Sequence, residues 1–133
     1  MVVRNQIHQK SKNEPKLTNA FYEAVKSGNV RRVRIMMSDS LLVDPTFEEF
    51  HAMEKAAASM TGLYDEHDGK ELIKDQSRWK DDYMDRVMVK VLSNFSHERI
   101  DHLKEVVQYL RPVDNKNSSI KESTSIFNNI AFI

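Results

Sequence analysis

The sequence predicts an all-α protein: a single-domain bundle of about five helices around a central antiparallel αα-hairpin. Three observations carry this. Glycine and proline number three each in 133 residues, too few to turn many short strands. Apolar residues recur at i+3 and i+4, and the period-two alternation of a half-buried strand is absent. The longest such run, Ser77 to Arg111, reads as two helices with one break between them.

Taken in order, residues 1–16 are polar, basic and without period, which predicts a flexible basic arm. A helical domain follows over 17–112. Its first helix spans Thr18, an N-cap, to Ser27, with Ala20 or Phe21, Ala24 and Val25 facing inward. Gly28 suits the left-handed position that ends helices. Asn29 opens a short second helix, VRRVRIMM, with Val30, Val33, Met36 and Met37 inward and Arg31, Arg32 and Arg34 pointing elsewhere.

The segment AVKSGNVRRVRIMM resembles the two-helix part of an ankyrin repeat. Ala24 and Val25, Gly28, Val33, and Met36 with Met37 fall where such a repeat places its small pair, turn glycine and buried aliphatics. The Thr-Pro-Leu-His opening of that repeat is absent and no second copy exists. One repeat cannot bury its own apolar face, so the segment is read as a generic helical hairpin.

The third helix begins near Asp44-Pro45-Thr46. Either Asp44 caps it with Pro45 in the first helical position, or Thr46 caps it with Glu49 as a capping box. FEEFHAMEKAAASM then puts Phe47, Phe50, Met53, Ala57 and Met60 on one side, its alanines allow close approach of a neighbour, and Gly62 stops it. Residues 63–76 break the pattern around the turn signal Asp68-Gly69, which predicts a loop or a short hairpin. EHDGKELI resembles the acidic loop of colicin-nuclease immunity proteins, small helical inhibitors, through Glu66, His67, Asp68, Gly69, Leu72 and Ile73. It lacks that loop's residue between His67 and Asp68, and Lys74 and Asp75 stand where the loop has tyrosines.

In the hairpin, Trp79, Tyr83, Val87, Val91 and Phe95 recur at i+4, with Met84, Met88 and Leu92 as a second row. Ser96 caps the next helix, Glu98 sits in its first turn, and Ile100, Leu103, Val107 and Leu110 form its seam. Pro112 ends it. Residues 113–133 are a linker and an apolar C-terminal tail, IFNNIAFI, which either folds back on the core or docks on a partner.

The absence of cysteine excludes disulfides and thiol chemistry and fits a reducing compartment. The N-terminus lacks a signal peptide's apolar run, and no stretch approaches the ~20 apolar residues of a membrane span, so a soluble cytoplasmic protein without a membrane partner is expected. Net charge is zero but unevenly spread. Residues 1–37 carry eight basic and two acidic groups, net +6; residues 38–76 carry three and ten, net −7. Either these halves complement each other inside the fold, or they present a basic face to an acidic partner or nucleic acid.

No catalytic constellation stands out. Glu48-x-x-His51 has di-iron spacing but no second copy, and Glu98 with His102 gives two ligands where a site needs more. His97 and His102 diverge. Asp82, Asp85, Glu98 and Asp101 resemble the paired carboxylates with which all-α nucleotide pyrophosphohydrolases hold magnesium. The two pairs lie near opposite ends of a hairpin helix, roughly 15 Å apart. No nucleophile elbow or glycine-rich phosphate loop exists. The expectation is therefore a non-enzymatic protein-binding module without cofactor or metal, an adaptor, inhibitor or immunity-type partner. Its contacts are expected at Arg31, Arg32 and Arg34 or in the acidic loop at Asp65, Glu66 and Asp68. The alternative is a DNA- or RNA-associated regulator, with Gly28-Asn29 as the turn of a helix-turn-helix and Lys26, Arg31, Arg32 and Arg34 on phosphates. A carboxylate-metal hydrolase comes after both.

Overall fold

A computed structural model describes residues 15–113, and among them it contains five α-helices and no strand. They are α1 (Asn19–Lys26), α2 (Val30–Val43), α3 (Glu48–Ala56), α4 (Asp81–Ser93) and α5 (His97–Leu110), with a 3₁₀ turn at Gln76–Arg78. Residues 1–14 of the basic arm and the linker and tail from 114 onward lie outside the described residues. Among the described residues no helix is long and apolar enough to cross a membrane.

Local signals set most helix ends. The Thr18 side chain accepts from the Phe21 N–H, the Asn29 side chain from the Arg32 N–H, and the Ser96 hydroxyl from the Arg99 N–H. Each satisfies an orphan donor of a first turn. Gly28 adopts φ +73° and turns the chain directly from α1 into α2. Phe21 and Ala24 form the buried side of α1.

Two helix lengths differ from the sequence expectation. Helix α2 does not stop at Met37; it continues through Ser38-Asp39-Ser40 to Val43, 14 residues in all. Ser38 and Ser40 are buried; the Ser40 hydroxyl donates to the Met37 carbonyl at 2.7 Å, while the Ser38 hydroxyl is enclosed without a hydrogen-bond partner. Helix α3 is shorter than the run 47–60. It ends at Ala56, and tight turns bonding Ala58 to Lys55 and Met60 to Ala57 unwind it. Leu63 is then carried into the core.

Neither expected cap forms at the start of α3: Pro45 precedes the helix, and Asp44 rather than the Glu49 side chain accepts from the Thr46 N–H. Phe47 stands at the cap position with φ +67°, the one positive φ outside glycine among the described residues, and its ring is buried. The Asp44 carboxylate reaches past it, accepting from the Thr46 N–H at 3.2 Å and the Glu49 N–H at 2.9 Å. Partial burial works to raise the Asp44 pKa, but the Thr46 hydroxyl, together with the N–H groups of Glu49, Thr46 and Glu48, outweighs it and holds the carboxyl below its ordinary value.

Helices α4 and α5 form the expected antiparallel hairpin. The link Asn94-Phe95-Ser96 turns the chain back, and Arg111 at the end of α5 pairs with Asp81 at the start of α4 at 3.0 Å. Tyr83, Val87 and Val91 of α4 and Ile100, Leu103, Val106 and Val107 of α5 are buried. Trp79 and Phe95 continue the i+4 row as buried residues outside the helix itself. Helix α4 starts at Asp81 rather than Ser77, because the Asp75 side chain accepts from the Ser77 N–H and hydroxyl and closes the 3₁₀ turn first. The second row weakens outward: Met84 is buried, Met88 half-buried, and Leu92 exposed. Helix α2 packs against α1, α3, α4 and α5 and so lies at the centre of the bundle.

Candidate functional site

Residues 62–80 form a loop laid across the turn of the α4–α5 hairpin, and its acidic side chains hold it there. Asp65 is the hub. Its N–H donates to the Phe95 carbonyl at 2.8 Å, and its carboxylate accepts from the Phe95 N–H at 3.0 Å and from Arg34 Nη2 at 3.1 Å. Arg34 also donates to the carbonyls of Leu63 at 2.8 Å and Gly62 at 3.0 Å. Asn94 bridges the next turn, donating to the Glu66 carbonyl and accepting from the Asp68 N–H. Asp68 in turn receives Arg99 Nη2 at 2.8 Å. The Lys70 N–H and the Arg99 guanidinium hold the Asp68 carboxyl below its ordinary pKa. The turn at Asp68-Gly69 is a loop feature and no hairpin forms there.

The residues named from the sequence as partner contacts therefore separate into two groups. Arg34, Asp65 and Asp68 have partners within the protein: Arg34 and Asp65 join the basic and acidic halves of the chain, and Asp68, though itself exposed, is paired with the buried Arg99. Arg31, Arg32 and Glu66 are exposed, and the side chains of Arg31 and Arg32 form no ion pair with a described residue. Arg31 and Arg34 line a shallow concavity of about 210 Å³ with Val30, Ile35 and Leu92, between α2 and α4. Val89, three residues before Leu92 on α4, is 65% exposed.

A second concavity, about 220 Å³, lies on the opposite flank of α4, between the loop and the hairpin. Leu72, Ile73 and Val87 give it apolar walls, and Arg86, Lys90, Arg99 and Glu71 supply charge. Tyr83 and His102 close its inner end, with the tyrosine hydroxyl 2.7 Å from His102 Nε2. That hydroxyl also accepts from the Ile73 N–H at 3.3 Å, while His102 Nδ1 is buried without a hydrogen-bond partner, 3.9 Å from the Glu105 carboxylate. Burial, and then the nearby Lys74 charge, push the His102 pKa down, which keeps the ring neutral. Burial also pushes the Tyr83 hydroxyl up. Trp79 packs edge-on against the His102 ring, and its indole N–H donates to the Ile73 carbonyl at 2.8 Å, fastening the loop over the pair.

Asp82, Asp85, Glu98 and Asp101 are all exposed, and no group of three or more His, Asp or Glu side chains among the described residues is arranged to hold a metal ion. Compared with known protein families, curated proteins and solved structures, the chain finds no match. Nothing in the sequence singles out Arg99. It reads as one more surface charge in a helix, and only its exposure of 4% sets it apart. Asn94 carries one local hint: at the end of α4, a side chain able both to donate and to accept can serve two loop groups.

Proposed function

We propose that the protein is a non-enzymatic binding module whose α2–α4 face, built from Arg31, Arg32, Val30, Ile35, Leu92 and Val89, takes an acidic amphipathic segment of another protein. The observation that carries the reading is the contrast between the arginines. Arg34 is consumed by Asp65 and two carbonyls, whereas Arg31 lines the concavity beside half-buried Val30 and Ile35 and exposed Leu92, and Arg32 stands exposed next to it in sequence. An amphipathic partner would cover the apolar residues and answer the two charges, a helix-in-groove mode of recognition. The acidic loop contributes less to this surface than its composition suggests, since Asp65 and Asp68 already have internal partners.

Nucleic-acid binding is the second reading, favoured by the length of α2, which at 14 residues is long enough for a recognition helix. The enclosure of α2 by all four other helices counts against it: Arg31, Arg32, Asp39 and Val43 are its only exposed residues. The test is co-purification of the full chain from its native cells in three forms: wild type, Arg31→Glu with Arg32→Glu, and Leu92→Glu. Protein partners retained by the wild type and lost in both variants support the proposal. Partners kept by both variants sink it. Retention on a DNA column that falls steeply with salt would favour the second reading instead.

A further inference from the structure

We propose that the concavity between the 70–73 loop and the α4–α5 hairpin is a binding site for a small monocarboxylate with an apolar body, such as an aromatic acid. This site is separate from the α2–α4 face. Its central group is Arg99, which lines the cavity and is itself buried. The contact of Arg99 with Asp68 uses Nη2 alone, which meets both carboxylate oxygens at 2.8 and 3.1 Å. The buried Nε–H has no hydrogen-bond partner. That nitrogen is fully enclosed, so a ligand in the cavity is offered the remaining arm, Nη1, which makes no hydrogen bond with a described residue, and a carboxylate oxygen is the acceptor that suits it.

The rest of the lining fits the same ligand class. Leu72, Ile73, Val87 and the Tyr83 ring form walls suited to an apolar body. Lys90 stands at the rim with no ion pair to a described residue, and Arg86 is held only loosely by Asp82 at 3.7 Å on the exposed side. Volume limits the size: an apolar cavity of about 150 Å³ accommodates benzene, and about 220 Å³ leaves room for a ring and its carboxylate. A phosphate dianion fits less well, because its charge would face apolar walls and the Glu71 carboxylate. Glu71 is the one acidic group in the lining, so it should weaken any anion bound there.

The test titrates sodium benzoate into the full chain at constant ionic strength, with benzyl alcohol as the neutral counterpart, followed by two-dimensional NMR. Benzoate should shift the resonances of Tyr83, Val87 and His102 saturably, with benzyl alcohol binding roughly tenfold more weakly. Two rim substitutions avoid disturbing the buried Arg99–Asp68 pair. Glu71→Gln should tighten benzoate binding about threefold and Lys90→Gln weaken it by a similar factor. Equal binding of acid and alcohol would reduce the site to an apolar cleft and overturn the proposal. Absence of saturable shifts at Tyr83 and His102, as for a cavity holding only water, would overturn it too, as would a Glu71→Gln variant with unchanged affinity.

Discussion

The α4–α5 hairpin and the 62–80 loop lie against each other and are held by different forces. The hairpin is held by apolar burial, with Val91, Phe95, Leu103, Val106 and Val107 all removed from solvent. The loop buries few large side chains; Leu63 and Trp79 anchor its ends. Between them it is fixed by directed bonds: Asp65 to Phe95 and Arg34, Asn94 to Glu66 and Asp68, Tyr83 to Ile73. The difference teaches that charged residues in a turn-rich segment can be fasteners. What resembles an acidic contact surface in the sequence is, at Asp65 and Asp68, the means by which the loop is attached.

The two regions meet most closely at Phe95, which belongs to both through its ring and its backbone. Phe95→Ala should destabilise the protein by about 3–5 kcal/mol, read from the midpoint of urea unfolding. It removes a ring stacked on Tyr64 and facing the Arg34 guanidinium. Asp65→Ala comes next, at roughly 1–3 kcal/mol, because it leaves the Phe95 N–H without an acceptor and Arg34, though still bonded to two carbonyls, without its counter-charge. A double-mutant cycle with Arg34→Ala should show coupling well above the few tenths expected of unconnected surface charges. If the two losses simply add, the fastener role of the pair is wrong.

A smaller effect separates the regions by pH. With its pKa below the ordinary 6.5, neutral His102 favours the folded state, and the unfolded chain takes up the proton more readily. Its contribution is therefore complete above pH 6.5 and is lost as the pH falls from there through the lower folded value. His102→Gln should lower stability at every pH but flatten this part of the profile, as followed by thermal unfolding across a pH series.

How much of this could be read from the sequence follows the same division. Thr18, Asn29 and Ser96 were legible as caps because each acts on a backbone N–H three residues away. The hairpin was legible because its apolar rows repeat. The extension of α2 to Val43 was hidden by two serines that look like surface residues but are buried. The left-handed Phe47 was hidden as well, since a bulky side chain at positive φ runs against propensity. The Asp65 clasp joins residues about 30 positions apart, and no local pattern encodes such a partner. The second concavity depends on the clasp, since the loop supplies one of its walls.

Amide hydrogen exchange of the full chain is the most direct measure of whether the loop is built into the hairpin. If it is, the N–H groups of Asp65, Asp68 and Ile73 should be protected to within about tenfold of those in the middle of α4 and α5. Exchange of these three at free-chain rates, with α4 and α5 still protected, would mean a loose loop whose acidic side chains are free, and would contradict its attachment through Asp65 and Asn94.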